Sequence, residues 1–245
     1  MYKTINEYTL KIFLITTLLF LFVVTVRAQF EEGSLLRGSK DAVYLVSNGR
    51  AHWVPNENIF NLLSLNWNKV KKTSDKDIAK IPKGRIVVKG KNQTLYIIAE
   101  NGTACKVTNE ITLKALGLRN YSIWSVPDEK LLKLPQRPLL VKGSDPSIYI
   151  IHNSKACWIP SESIFKALGY DMKTVIQIPD KEMMQFPKEQ LLLRGSNDKI
   201  YRAENDKKRW VTTAALFTRL GYDWNSVLTV SDAQLKNIPE GEPVK

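Results

Sequence analysis

The chain has 245 residues, with 36 Lys and Arg against 24 Asp and Glu, a net charge of +12 and an apolar fraction of 44%. That apolar content excludes wholesale disorder, and 12 glycines are too few for a collagen-like chain. Two cysteines exclude a disulfide scaffold, and a single long apolar run excludes a polytopic membrane protein.

That run extends from Ile12 to Val26, after Lys3 and Lys11 and before Val26-Arg27-Ala28. It falls short of the roughly 20 residues a spanning helix needs. Its flanks read as a secretory signal at residues 1–28, cleaved after Ala28, with an uncleaved anchor as the competing reading. Residues 29–33 then form a short acidic linker. An exported chain can be glycosylated, and acceptor sequons occur at Asn92, Asn101 and Asn120.

Beyond the linker the sequence repeats itself. Tyr44, Tyr96, Tyr149 and Tyr201 are spaced by 52, 53 and 52 residues. Asn48, Asn101, Asn153 and Asn205 keep the same period, as do Pro82, Pro135, Pro187 and Pro239. So do the pairs Arg37-Gly38, Lys89-Gly90, Lys142-Gly143 and Arg194-Gly195, and the acids Asp75, Asp128, Asp180 and Asp232. Four units follow, at 34–84, 85–136, 137–188 and 189–245.

Each unit parses alike. A short apolar run such as Leu139-Leu-Val-Lys142 predicts a strand, and Ile148-Tyr-Ile-Ile151 a second. Asn48-Gly49 and its counterparts predict a tight hairpin turn, because both residues accept positive φ. A third strand, Lys155 to Ile159, stops at Pro160, which cannot donate to a ladder. Ser161 then caps a helix that Gly169 ends, and an Asp such as Asp232 caps a shorter helical turn. The expected class is α+β: four tandem β-β-β-α repeats, each a short antiparallel sheet plus a helix, packed on one another. Gly241 to Lys245 resembles a fifth first strand that stops, free either to pair with the edge of the first unit or to fray.

The pattern resembles a tandem repeat of secreted and cell-surface proteins, largely bacterial. The residues that carry it are Val43-Tyr-Leu-Val-Ser-Asn-Gly49, Trp210-Val211, Leu220-Gly-Tyr-Asp-Trp224 and Val230-Ser-Asp-Ala-Gln-Leu235. Such repeats often accompany cell-wall hydrolases, so the resemblance implies attachment to wall or surface glycan and no established activity. The second unit departs from it, with Lys106 for the third-strand Trp and Thr108 for the following Pro.

The chemistry expected is binding rather than catalysis. His52 and His152 occupy different slots, and no nucleophile, metal-ligand or phosphate-loop motif is present, so neither a catalytic residue, a metal nor a cofactor is assigned. The recurring Asp suits a helix cap better than a catalytic acid. Cys105 and Cys157 share one slot and could form a disulfide only if neighbouring units bring them close.

The invariant Tyr predicts a packed ring whose hydroxyl has a fixed partner. The slot Trp53, Lys106, Trp158, Trp210 accepts a lysine, so it is not deep core, and its indoles suit stacking on sugar rings. Arg37, Lys142 and Arg194 recur beside them as candidates for anionic groups, with Lys89 in the second unit. Charge falls from +5 in the first unit through +4 and +2 to +1 in the fourth, with Lys69, Lys71, Lys72, Lys76, Lys80 and Lys83 in the first. The expected function is secreted, multivalent attachment to extracellular or cell-wall polysaccharide, neutral or anionic. The alternative is an extracellular scaffold that holds a secreted protein in a composite groove between units.

Overall fold

The computed structural model describes residues 30–107, 109–118 and 121–245. The expected signal at 1–28, Thr108 and the sequon residue Asn120 lie outside the described residues. The chain is α+β. Its strands form sheets of five, nine and five, and the α-helices among the described residues are four to six residues long.

The first sheet holds β1 (Leu35–Arg37), β2 (Val43–Ser47), β3 (Arg50–Val54), β4 (Val70–Lys72) and β5 (Lys83–Gly84), in the order β4-β1-β2-β3-β5. The three central strands are antiparallel neighbours, while β4 runs parallel to β1 and β5 parallel to β3. The nine-stranded sheet holds β6 (Val87–Lys89), β7 (Leu95–Ile98), β8 (Ala104–Val107), β9 (Ile123–Ser125), β10 (Gln136–Lys142), β11 (Tyr149–His152), β12 (Lys155–Trp158), β13 (Val175–Gln177) and β14 (Lys188–Gln190). Its hinge is β10. Gln136–Pro138 run parallel to β8, and Leu139–Val141 run antiparallel to β11, so one strand closes one set of partners and opens the next. The last sheet holds β15 (Leu192–Arg194), β16 (Ile200–Glu204), β17 (Lys207–Val211), β18 (Val227–Thr229) and β19 (Glu240–Val244), in the order β18-β15-β16-β17-β19.

Local chemistry explains the hairpins and helices. Asn48 and Gly49, Asn153 and Ser154, and Asn205 and Asp206 all have positive φ, as a two-residue type I′ turn demands. The second hairpin differs: at Asn101-Gly102 only Gly102 has positive φ, and its N–H donates to the Ala99 carbonyl at 2.9 Å. Asn56, Asn109, Ser161 and Thr213 each cap a helix by accepting an N–H three residues on. Gly117, Gly169 and Gly221 follow three of these helices with φ between 67° and 71°, while Ser64 takes that place after the first.

The cores lie between successive sets of strands. Val43, Leu45, Ile59 and Phe60 pack with Val88, Tyr96 and Ile98. Val87, Ile97 and Cys105 pack with Tyr149, Ile151 and Phe186. Ile150, Cys157, Ile164 and Phe165 pack with Tyr201, Ala203 and Leu235. Each buried aliphatic or aromatic side chain contributes about 1.5–3 kcal/mol, so docking of neighbours carries the stability.

Four expectations need correction. Each central three-strand sheet gains two parallel outer strands. Residues 30–33 are not a free linker: the Gly33 N–H donates to the Val46 carbonyl at 2.9 Å, Glu32 accepts the Asn48 N–H at 2.8 Å, and Phe30 packs on Leu36, Val46 and Ala51. The segment 241–245 neither reaches the first unit nor frays, because β19 pairs parallel with β17 of its own sheet and buries Val244. Cys105 on β8 and Cys157 on β12 are free thiols in two different cores, so they form no disulfide.

Candidate functional site

Strand register places the recurring aromatic residues. Tyr44 faces Trp53, Tyr96 faces Lys106, Tyr149 faces Trp158 and Tyr201 faces Trp210 across antiparallel pairs. Directly opposed residues share a face of the sheet. Trp53 is 38% exposed and Trp158 42%, while Trp210 is half-buried and Lys106 exposed. The tyrosine rings lie deeper. Among the described residues their hydroxyls have no hydrogen-bond partner, and cations lie against three of the rings instead. Lys83 Nζ lies 4.8 Å from the Tyr44 centroid, Lys188 Nζ 5.3 Å from Tyr149 and Lys208 Nζ 5.8 Å from Tyr201. Lys199 Nζ lies 4.7 Å from the Trp210 centroid. Burial lowers the Lys83 pKa below the usual lysine range.

The basic residues singled out in the sequence sit elsewhere. Leu36 faces Tyr44 while Arg37 faces Val43, and side chains alternate along a strand. Arg37 therefore lies on the sheet face opposite Trp53. Lys142 follows Val141, the partner of Tyr149, and Arg194 follows Leu193, the partner of Tyr201, so both repeat this separation. Arg194 donates to Thr229 Oγ1 at 3.5 Å. The structure thus separates Arg37, Lys142 and Arg194 from the tryptophans and brings Lys83, Lys188 and Lys199 to the aromatic face. Sequence spacing could not reveal this, because Lys83 and Lys188 arrive on parallel strands from the far end of their units.

The recurring acids are structural, but not as caps of their own helices. Ser74, Pro127, Pro179 and Ser231 hold the cap positions. Asp180 accepts the Ser144 N–H at 2.8 Å and the Ser144 hydroxyl at 2.7 Å, and Asp232 does the same for Ser196 at 2.8 and 2.6 Å. Asp75 accepts both groups of Ser39, and Asp128 the Lys91 N–H at 2.9 Å. These bonds hold the carboxyls of Asp75, Asp180 and Asp232 below the usual range.

Burial pushes the Cys105 and Cys157 thiols up to about 12, which leaves them unreactive at neutral pH. His52 is fully buried with its ring nitrogens 2.8 Å from the Arg85 carbonyl and 3.2 Å from that of Ser47. Burial lowers the pKa of both His52 and His152. Among the described residues no three His, Cys, Asp or Glu side chains gather as metal ligands. Asn92 and Asn101 stand exposed at turns.

Two cavities adjoin the tryptophans. One of about 350 Å³ is lined by Tyr44, Trp53, Lys83, Arg85, Ile98 and Ile176. Another of about 340 Å³ is lined by Lys199, Trp210, Phe217 and Trp224. Trp224 stacks on Phe217 with centroids 4.0 Å apart, and Trp67 on Phe60 at 3.9 Å, each leaving about half its surface exposed. The sequence pattern placed Trp224 in the repeated motif but not among the candidate binding residues, and left Trp67 unnamed. The signal for Trp67 was Leu-Asn-Trp67 matching Tyr-Asp-Trp224 in register.

No protein-family model and no curated protein matches the chain. Solved structures that match include the periplasmic assembly from the ESX-5 inner membrane complex, at 12% identity and a TM-score of 0.21 over 89% of this chain and 61% of that one. An intact ESX-5 inner membrane complex matches at 12% identity and a TM-score of 0.20 over 97% of this chain and 57% of that one. The chain thus spans about three fifths of the length of these structures. Among the described residues no helix is long and apolar enough to cross a membrane.

Proposed function

We propose that the chain is a secreted array of four like units that binds extracellular or cell-wall polysaccharide without catalysis, using Trp53, Trp158 and Trp210 as separate stacking platforms. The observation that carries this reading is the pairing of a partly exposed indole with a nearby ammonium at three places: Trp53 with Lys83, Trp158 with Lys188, and Trp210 with Lys199. Lys83 and Lys188 lie over the tyrosine directly across from the indole. An indole offers a flat apolar face to a sugar ring, and the ammonium offers a charged donor to its hydroxyl or carboxylate groups. Each platform is shallow, so one alone binds weakly. Several on one rigid chain raise the effective concentration of the next contact and supply avidity.

The test is co-sedimentation of the full chain with insoluble polysaccharide, such as purified cell wall or cross-linked polygalacturonate. Trp158→Ala should weaken retention severalfold while the thermal unfolding midpoint stays near that of the parent. Unchanged retention would refute the platform, and so would a variant that no longer folds, because the indole would then be core.

A further inference from the structure

Beside the Trp53 cavity lies a second cleft of about 690 Å³, lined by Arg50, Lys83, Arg85, Lys114, Lys181 and Glu182. The Lys83 ammonium itself lies over Tyr44 and donates to the Ile78 carbonyl at 3.1 Å, so four cations, Arg50, Arg85, Lys114 and Lys181, face one carboxylate. The volume falls within the ~300–1,000 Å³ typical of small-ligand sites.

These cations come from separate parts of the chain. Arg50 lies on β3 and Arg85 just beyond β5, while Lys114 and Lys181 belong to the helices Glu110–Ala115 and Asp180–Met183. The two guanidinium groups are each anchored to a backbone carbonyl. Arg50 donates to the Lys83 carbonyl at 3.2 Å and lies 4.9 Å from the Tyr121 centroid. Arg85 donates to the Gln177 carbonyl at 2.8 Å. Neither contact cancels a charge. Lys114 and Lys181 are exposed, and neither has an ion-pair partner among the described residues.

Glu182 pairs with Arg85 and offsets one of these charges. Its Oε2 is buried, accepts no hydrogen bond, and sits 3.7 Å from Arg85 Nη1. Burial pushes its carboxyl above the usual range. The fold does not demand most of the cations. One period further along the sequence, Thr103, Gln136 and Ala233 stand where Arg50, Lys83 and Lys181 do, with Lys173 in place of Tyr121, while Lys166 keeps the place of Lys114.

We infer that this cleft is an anion-reading site for an acidic polysaccharide, which seats the ring-borne carboxylate or sulfate groups of one chain segment. Planar guanidinium forks match carboxylate and sulfate oxygens, and the free ammoniums at the rim add unpaired charge. Lys83, Gly84 and Arg85 line both this cleft and the Trp53 cavity, so one sugar chain can run from indole to cations. A nucleic acid is the less suited polyanion. The aromatic ring in the cleft, Tyr121, lies under the Arg50 guanidinium and edge-on to His52 at 6.1 Å, which leaves little open face for a base to stack on. That the polymer is a glycan rests on the function proposed above, but the charged cleft and the tryptophan platforms fail separately.

The experiment compares two double substitutions of equal charge in the full chain by titration calorimetry with polygalacturonate oligomers at physiological salt. Lys114→Glu with Lys181→Glu should weaken binding about tenfold or more, while Lys72→Glu with Lys76→Glu, outside the cleft, should weaken it less than about threefold. Equal losses would mean a diffuse basic field and overturn the site, as would failure of the parent to bind. Single-stranded DNA of matched charge, if bound as tightly and weakened as much by the cleft pair, would overturn the assignment to a glycan. If Trp158→Ala abolishes retention while the cleft pair does not, the platforms stand and the cleft falls; the reverse result retains the cleft alone.

Discussion

At the scale of single residues, a glycine and an aspartate some 37 positions apart explain each other. An added Cβ at Gly143 would sit 2.4 Å from Asp180 Oδ1, and at Gly38 it would sit 1.9 Å from Asp75 Oδ1. The carboxylate needs that space to reach the serine N–H and hydroxyl just beyond the glycine. Gly143→Ala should therefore destabilise by about 1–3 kcal/mol, as overpacking does, read from urea unfolding. Acid should act on the same contacts. The carboxyls of Asp75, Asp180 and Asp232 titrate lower when folded than when unfolded. Their contribution is complete above the unfolded pKa, near ~4, and is lost as pH falls through the folded values. Unfolding midpoints measured from pH 5 down to pH 2 should drop, and Ser144→Ala with Ser196→Ala should make that drop shallower. A slope unaffected by the double substitution would place the acid sensitivity elsewhere. Both partners were visible in the sequence as periodic markers. Their contact was not, because neither helix nor hairpin geometry links positions so far apart.

At the scale of elements, what could be read was what local rules specify. The Asn-centred turns, the polar caps and the closing glycines follow from the conformational limits of those residues, and the central strands and first helices sit where these signals put them. The outer strands escaped because they are short and show no hydrophobic alternation: Val70-Lys-Lys72 and Ile123-Trp-Ser125 carry mostly half-buried and exposed side chains. They are strands because a partner runs alongside. The last strand shows how much that pairing matters. Within β19, Val244 is 5% exposed among Val211, Leu216 and Phe217, and Arg209 donates to the carbonyls of Glu242 at 2.8 Å and Pro243 at 3.2 Å. Val244→Asp should cost about 2–4 kcal/mol, since it buries a charge without a partner. Amide exchange along β17 should quicken with it. Exchange confined to the last few residues would show that β19 adds nothing to the sheet.

At the scale of the whole molecule, the proposed array needs a way to stop. Leu45, Ile97 and Ile150 occupy one slot and are at most 5% exposed, and His52, Cys105 and Cys157 occupy another at 1% or less, all facing a neighbouring layer. In the last unit these slots hold Arg202 and Arg209, with Glu204 beside them. Glu204 accepts from Arg209 Nη1 at 2.7 Å and also pairs with Arg202, which in turn donates to the Tyr222 hydroxyl at 3.1 Å. In the proposed array this ion-pair network would close the outer face, where the matching inner slots are buried, as terminal units of stacked proteins require for solubility. Arg202→Ile, Glu204→Ala and Arg209→Ala together would restore an inner-type face with nothing to cover it. The first sheet offers no matching open face, because Leu36, Val46 and Ala51 are covered by Phe30 and the helix Asp75–Lys80. Sedimentation velocity over a range of concentrations should show the parent monomeric and the triple variant associating through its exposed last face. The same patch would meet itself on a second copy, so the contact is isologous and the species should close at a dimer as concentration rises. A triple variant that stays monomeric and as stable as the parent would mean that the arginines and glutamate do not act as the stop.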